Sequence, residues 1–257
     1  MISSRRILHF FEPIFLIAIA LVVWQIASIQ KVVDPTFFPP PSIIAAEFAK
    51  LATTGQMIND LRVSLYQMFA GLVIGASVGI LVGVLIGWFK PLYRMLDPLI
   101  SATYPIPKIA ILPLMLVLFG IGNLPIIVII AIESFYAVVF NTVEGVHSVD
   151  NILIRMSRNL GGNTRQILRK VVLPSILPFI FVGVRISLGV ALIVDIASQF
   201  VIGNAGIGFR LWLSWQIFDI KQMYSMLVVV ALLGLLFTYP LLYGEKRLMP
   251  WRKQPVT

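Results

Sequence analysis

The sequence predicts an all-α integral membrane protein with about six transmembrane helices in one domain, residues 1–257. Apolar residues make up 59% of the 257-residue chain and charged residues only 12%, with a mean hydropathy of +0.95. Soluble domains are nearer half apolar and a quarter charged, so this composition excludes a cytosolic enzyme. The predicted spans, each near the roughly 20 residues that cross a bilayer, are residues 13–29, 64–89, 98–119, 124–142, 174–198 and 223–244.

The first span follows Arg5 and Arg6 and is predicted to be an uncleaved anchor. The small-x-small pattern Ala18-Ile19-Ala20 resembles a signal-peptide cleavage site, but it lies in the middle of the apolar run rather than at its end. The connection after this span contains the run 43–51, which we predict to be a short helix with Ser42 as its N-cap.

The second span carries glycine at every fourth position. On a helix this spacing forms one continuous groove, into which a neighbouring backbone can pack closely in the membrane. We therefore predict tight helix packing along this face. The residues are Gly71, Gly75, Gly79, Gly83 and Gly87.

The third and fourth spans are predicted to form a tight hairpin. Residues 120–125 read Gly-Ile-Gly-Asn-Leu-Pro and interrupt a long uncharged stretch. Clusters of glycine and proline mark turns. The last outer connection, residues 203–221, carries aromatic residues suited to the headgroup region and is not predicted to fold as a domain.

A polar, basic segment at residues 143–172 precedes the fifth span. Its pattern predicts a helix over 151–159, a break at 160–162 and a second helix over 164–172 with Thr164 as its cap, before Pro174 and Pro178 mark the re-entry into the bilayer. Such a segment favours either docking of a cytoplasmic partner or binding of anionic lipid, and the residues alone leave both open.

The distribution of basic residues predicts that both termini are cytoplasmic. Thirteen of the twenty lysines and arginines fall in segments on the side of the termini, and five fall on the other side. Cytoplasmic loops carry an excess of these residues. This excess explains the net charge of +9. We therefore do not expect nucleic acid as a partner.

Four charged residues fall at membrane depth, where charge is costly and functional roles are common. We expect Lys108 and Glu133 to lie near opposite helix ends and to extend towards the interface. Arg185 and Asp195 are about 15 Å apart along one helix axis, so they cannot pair directly. They either line a polar path or bond between helices. The chain has no cysteine and two distant histidines, so we expect no metal site.

The loop also carries a family resemblance. Leu160-Gly161, followed by Leu173-Pro174, resembles the coupling-loop signature of binding-protein-dependent ABC importer permeases. Further motifs extend the resemblance, to the nitrate/sulfonate/taurine branch, over nearly the whole chain. They include Phe38-Pro39-Pro40-Pro41, Ser64-Leu65-Tyr66, Pro105-Ile106-Pro107, Phe119-Gly120-Ile121-Gly122, Gly183-Val184-Arg185 and Gly206-Ile207-Gly208.

The resemblance implies a type I importer fold in the bacterial inner membrane. It implies a second permease subunit (the same or a different chain), two ABC ATPase subunits and an extracytoplasmic substrate-binding protein. The chain lacks the phosphate-binding loop of ATPases, so ATP and Mg²⁺ are expected on the partners, with no catalytic residue or cofactor here. The implied coupling residues are Arg155, Arg158, Leu160, Gly161 and Gly162. The implied translocation-path residues are Arg185, Asp195 and Gln199.

The chain departs from the family pattern at three places. Arg155-Met156-Ser157 stands where the family has glutamate-alanine-alanine, Gln199 where it commonly has glutamate, and Gln67 where it has arginine. We hypothesise a different permease partner, a dedicated ATPase or an unusual substrate.

Two other functions compete with the importer. A secondary transporter or channel would use no ATP, but the chain shows no convincing inverted repeat. A membrane-embedded enzyme would need a cluster of reactive side chains at one depth. The predicted solute is small and anionic or zwitterionic, its identity open.

Overall fold

The computed structural model describes the backbone of residues 3–249 and their side chains, except those of residues 3–14, 242, 246 and 248. Arg252 and Lys253, which contribute to the predicted orientation, lie outside the described residues. The helices are α1 (Ser3–Ile29), α2 (Pro41–Ala52), α3 (Gly55–Trp88), α4 (Lys90–Thr103), α5 (Leu112–Phe119), α6 (Asn123–His147), α7 (Asn151–Asn159), α8 (Thr164–Ile167), α9 (Leu173–Ile202), α10 (Ile207–Gln216) and α11 (Ile220–Leu248). The described part of the chain contains no strand, which confirms the all-α class.

Four helical stretches are long and apolar enough to cross a membrane: α3, α6, the continuous helix Thr164–Ile202 and α11. A bent pair makes a fifth if it counts as one span, and the described side chains of α1 add a shorter apolar segment, Phe15–Ile29. Within the described residues, the predicted six spans thus correspond to four regular ones, one broken one and one short one.

The glycine face of α3 packs directly on α6. A Cβ atom at Gly71 would lie 2.6 Å from Ile130 Cβ, one at Gly83 2.7 Å from Thr142 Cβ, and one at Gly87 2.7 Å from Val146 Cβ. At Gly75 it would collide with the carbonyl oxygen of Ala131. These distances leave no room for a side chain, so the two backbones approach as closely as glycine permits. Helix α6 lies between α3 and α9 and forms the centre of the bundle.

The third predicted span is broken. Its two halves, Lys90–Thr103 and Lys108–Phe119, meet at an angle of 82°. The residues between them are Tyr104-Pro105-Ile106-Pro107, and proline both lacks an N–H donor and disfavours helix in the residue before it. The predicted span over 98–119 is therefore interrupted at the Pro105-Ile106-Pro107 motif. The hairpin turn that follows has Gly120 in the left-handed region at φ 75°.

The segment before the fifth span differs from the prediction. Helix α7 has the predicted bounds, but α6 extends to His147, and the second loop helix is not separate from the membrane span. A π-helical turn at Leu168–Val172 joins α8 to α9. This wider turn lies directly before Pro174, which has no N–H to donate to the carbonyl groups of the preceding turn. The result is one helix of 39 residues.

Two local predictions were wrong. Ser42 lies inside α2, whose N-cap position is Pro40, and the helix start is tied to α1 by hydrogen bonds between Ser42 and Gln25. Asn163, not Thr164, caps α8, in a capping box with Gln166. The connection 203–221, which was not predicted to fold as a domain, contains a short packed helix, α10, with Leu211 and Ser214 buried.

Candidate functional site

The N-terminus of α10 is held by buried side chains of α3 and α9. The first backbone N–H groups of a helix have no partner within the helix. Here the N–H of Gly206 donates to Asp60 Oδ1 (3.0 Å), that of Ile207 to Ser64 Oγ (3.0 Å) and that of Gly208 to Gln199 Oε1 (2.7 Å). Every acceptor residue, taken as a whole, is at most 2% exposed. We call this set of contacts the α10 clamp.

Glycine is required at two positions of the clamp. Gly206 has φ 111°, and a Cβ atom there would lie 2.5 Å from the Gln199 side chain. A Cβ atom at Gly208 would lie 2.9 Å from Gln199 Cβ and would collide with the Ile196 carbonyl oxygen. The Gly-Ile-Gly motif therefore lets the α10 backbone reach α9.

Gln199 is the centre of the clamp. Its Nε2 atom lies 2.7 Å from Gln67 Oε1, 3.0 Å from Ser64 Oγ and 3.0 Å from Asp195 Oδ2. Gln67 in turn donates to Asn123 Oδ1 at 2.8 Å, which connects the clamp to the start of α6. Two residues that depart from the family pattern, Gln67 and Gln199, are thus hydrogen-bonded to each other. The neutral pair stands where the pattern has arginine and glutamate.

An ion pair closes the clamp on its more exposed side. Arg210 on α10 places Nε and Nη2 each 2.8 Å from Asp60 Oδ2. The Asp60 side chain is 3% exposed and that of Arg210 is 18% exposed. A nearly buried carboxylate requires such a partner, because an unpaired buried charge is costly. Together these contacts fix α10 to the N-terminal part of α3 and the C-terminal part of α9.

A second candidate surface is α7 with the turn after it, residues 151–162, which we call the α7 surface. No residue of α7 is buried. The exposed side chains include Ile152, Met156 and Leu160 beside Arg155 and Arg158, with Leu160 87% exposed. Contiguous exposed apolar groups mark interaction sites. Both the apolar and the basic groups are thus available to a partner.

The α7 surface is rigidly mounted on the bundle. Asp150 caps α7 through the Ile152 N–H (2.7 Å), and Ile154 packs against a core cluster that includes Ile167 and Ile176 of the 164–202 helix. Gly161 ends the turn with φ 83°, a conformation that favours glycine. A Cβ atom at Gly162 would lie 2.7 Å from the Ser157 carbonyl oxygen.

The charged residues at membrane depth do not form one site. Asp195 and Gln199 are fully buried in the clamp, so they bond within the helix bundle and do not line an open surface. Arg185 pairs with Glu245 of α11 at 3.3 Å. Lys108 does not extend to an interface as expected, because the chain break at 104–107 leaves the residue only 3% exposed, with its Nζ atom 4.3 Å from the centre of the Tyr136 ring.

Sequence reasoning missed Asp60, Arg210 and the role of Ser64 as a clamp acceptor. The available signal was the motif pair Ser64-Leu65-Tyr66 and Gly206-Ile207-Gly208. The fold brings the two motifs into direct contact through a hydrogen bond across 143 positions of sequence. Sequence spacing alone does not reveal which motifs meet.

Comparison with known proteins identifies the family. Residues 75–250 match the model described as "binding-protein-dependent transport system inner membrane component". The chain belongs to this family. It is therefore a multi-pass inner-membrane permease, which is a transport protein.

Relatives and solved structures agree with this assignment. The permease is 33% identical to a probable ABC transporter permease protein of Brucella abortus, over 84% of this chain and 86% of the relative. It is 30% identical to the taurine transport system permease protein TauC of Escherichia coli, over 91% and 87%. An inward-facing structure of the MetNI methionine ABC transporter matches with a TM-score of 0.65 at 23% identity, over 76% of this chain and 95% of that one.

Proposed function

We propose that this permease forms the translocation path of an ATP-driven importer and that the α7 surface docks on an ABC ATPase subunit. The observation that carries the proposal is the α7 surface itself. It combines exposed apolar side chains with Arg155 and Arg158 at one end of the bundle, on a helix with no buried residue. Exposure of such a surface to water is unfavourable, and burial of its apolar groups against a partner lowers the free energy.

The orientation follows from the same proposal. An ATPase subunit lies in the cytoplasm, where ATP and Mg²⁺ are available, so the α7 end of the bundle is cytoplasmic. The excess of lysine and arginine on this side agrees with that placement. Both termini are then cytoplasmic as well.

The fold supplies a mechanical route from α7 into the membrane. Ile154 of α7 packs on the base of the 39-residue helix 164–202, and the other end of that helix carries Asp195 and Gln199 in the α10 clamp. A helix of this length transmits rigid-body motion because its backbone hydrogen bonds are internal. Movement of α7 by ATPase closure and reopening therefore displaces α10 at the opposite face, which is the kind of two-state rearrangement that alternating access needs.

The remaining partners follow from the family. We propose a dimer of permease subunits, two ATPase subunits and an extracytoplasmic binding protein that delivers a small anionic or zwitterionic solute. The similarity to the TauC permease supports a solute of the taurine type.

Copurification tests the docking role. The chain is isolated from its native membrane in mild detergent, and the ATPase subunit that copurifies is quantified. Reversing the charge of an exposed docking residue, Arg155→Glu, is expected to reduce bound ATPase about tenfold or more, because like charges at an interface are strongly unfavourable. Leu160→Asp, which introduces charge into the apolar part of the surface, is expected to have a similar effect.

The matched control is Arg94→Glu. Arg94 is also exposed, and its neighbour Tyr93 contacts His147 just before α7, so the control lies at the same end of the bundle but outside the α7 surface. It is expected to retain bound ATPase. A wild-type chain that copurifies with no ATPase, or variants that bind it as well as wild type, would refute the docking proposal and favour an ATP-independent transporter.

A further inference from the structure

A recess opens where the broken span meets α6 and α9. It has a volume of about 510 Å³ and is lined by the 104–107 break, by one face of α6 and by Ile186 and Val190 of α9. The α6 face contributes Glu133, Ala137, Phe140 and Asn141, which are spaced so that they follow one side of the helix. We call this space the aromatic recess.

Glu133 is a charged group in the middle of a membrane-spanning helix. It is the eleventh residue of α6, about 15 Å from its first residue at 1.5 Å per residue, so it does not lie near a helix end as the sequence analysis expected. Its side chain is partly exposed, and within the described residues it has no hydrogen bond or ion pair. A carboxylate facing lipid at this depth costs about 2.5–3.5 kcal/mol on insertion scales, so such groups face water-filled cavities or partners. The aromatic recess is the space that Glu133 faces.

The recess offers acceptors and electron-rich rings. The Asn141 side chain uses its Nδ2 donor on the Ala137 carbonyl oxygen (2.8 Å), which leaves its Oδ1 acceptor free for a ligand. Tyr104 is 52% exposed, and its ring contacts the Phe140 ring edge-on at 5.2 Å. Aromatic faces attract cations. Lys108 does not line the recess, and its ammonium is already engaged by the Tyr104 carbonyl oxygen and by the rings of Tyr104 (5.1 Å) and Tyr136 (4.3 Å).

From this arrangement we propose that the aromatic recess is a hydrated part of the translocation path, and that Glu133 contacts an ammonium group of the transported solute. The substrate class is then a small amine or zwitterion, and a solute that is only anionic is disfavoured. An ammonium group has donors and no acceptor, which complements the acceptors Glu133 and Asn141 Oδ1. This proposal rests on the importer function and adds a substrate class and a specificity-determining residue to it.

The absence of cysteine from the chain makes a direct test possible. Ala137→Cys places a single thiol one helical turn from Glu133. The intact complex in native membranes is treated with trimethylammonioethyl or sulfonatoethyl methanethiosulfonate, which carry opposite charges. The labelling rate of each reagent is divided by its rate of reaction with a small thiol in solution, which corrects for the difference in intrinsic reactivity between the two reagents. The cationic reagent is expected to be favoured about tenfold, as for charges a few ångströms apart in a partly hydrated site.

Substitution of Glu133 by Gln in the Ala137→Cys background is expected to abolish this preference. Glu144→Gln removes a carboxylate from an exposed position on the same helix and is expected to leave the preference intact. Leu235→Cys, on an exposed position in the middle of α11, reports a lipid-facing thiol and is expected to react with neither reagent. Asn141→Cys serves as a second reporter if Ala137→Cys does not assemble.

Two results would overturn the proposal. If neither recess thiol reacts faster than Leu235→Cys, the recess is dry or covered by a partner. If the thiols react without charge preference, or with a preference that survives Glu133→Gln, Glu133 does not select an ammonium group. Because labelling needs neither ATP nor a bound ATPase, these outcomes are distinct from failure of the importer function, which the copurification assay measures.

Discussion

Replacement of Gln199 by Glu changes one atom at the centre of the α10 clamp. The Nε2 donor becomes a carboxylate oxygen that faces the oxygens of Gln67 at 2.7 Å and Asp195 at 3.0 Å. Ser64 can rotate its hydroxyl to donate, but Gln67 cannot turn its amide without losing the bond to Asn123. Each unsatisfied buried acceptor costs about 1–3 kcal/mol, and an unpaired buried charge costs about 3–5 kcal/mol.

We therefore expect Gln199→Glu to destabilise the folded permease by about 3–5 kcal/mol. For a chain of this size that corresponds to a loss of roughly 6–20 °C in thermal midpoint. The assay is the temperature at which half of the detergent-purified complex remains monodisperse. Adding Gln67→Arg supplies a guanidinium beside the new carboxylate, and the double variant is expected to recover about 1–3 kcal/mol of coupling.

Gln216→Glu is the matched control, because Gln216 is exposed on α10 and the same chemical change there meets solvent. It is expected to leave the midpoint within about 2 °C, as for surface substitutions in general. The argument is refuted if Gln199→Glu is as stable as Gln216→Glu, or if Gln67→Arg makes the Gln199→Glu variant no more stable.

Two further predictions concern packing and the clamp ion pair. Gly75→Ala is expected to cost about 1–3 kcal/mol by overpacking, measured as the same thermal midpoint, whereas Gly234→Ala, where a Cβ atom meets nothing within 4 Å, is expected to be neutral. Equal midpoints would contradict the close α3–α6 approach. Arg210→Gln leaves Asp60 without its ionic partner and is expected to cost about 3 kcal/mol and to speed proteolysis between α10 and α11. Arg62 is exposed, so the Arg62→Gln variant is expected to be cleaved at the wild-type rate. Equal cleavage rates in the Arg210→Gln and Arg62→Gln variants would contradict the role of the Arg210–Asp60 ion pair.

Much of the fold was predictable because it depends on local pattern. The bounds of α7, the turn at Gly120 and the glycine face of α3 follow from helix periodicity, chain-breaking residues and side-chain size, which act over a few positions. The break at 104–107 was less accessible. Its two prolines were visible, but the 82° angle between the halves depends on how each half packs.

The candidate site was predictable only in part. Arg155, Arg158 and Leu160 lie on an exposed local helix, so their shared surface could be inferred from sequence. The contacts of Gln199 with Gln67 and Ser64 join residues 132 and 135 positions apart, and no local pattern encodes which distant groups meet. For the same reason Asp195 was open to either a path or a bonding role until its burial was known.

The sequence by itself determined that this chain spans a membrane, which helices carry its apolar faces and where its basic residues concentrate. These properties depend only on the residues of each segment, because its composition determines whether the segment prefers lipid or water. Only the tertiary structure decided that Asp195 and Gln199 are buried in a clamp, that Lys108 is enclosed by aromatic rings and that Glu133 faces an open recess. The environment of a charge at membrane depth depends on its neighbours in space, and the packing of α3, α6 and α9 determines which residues these are.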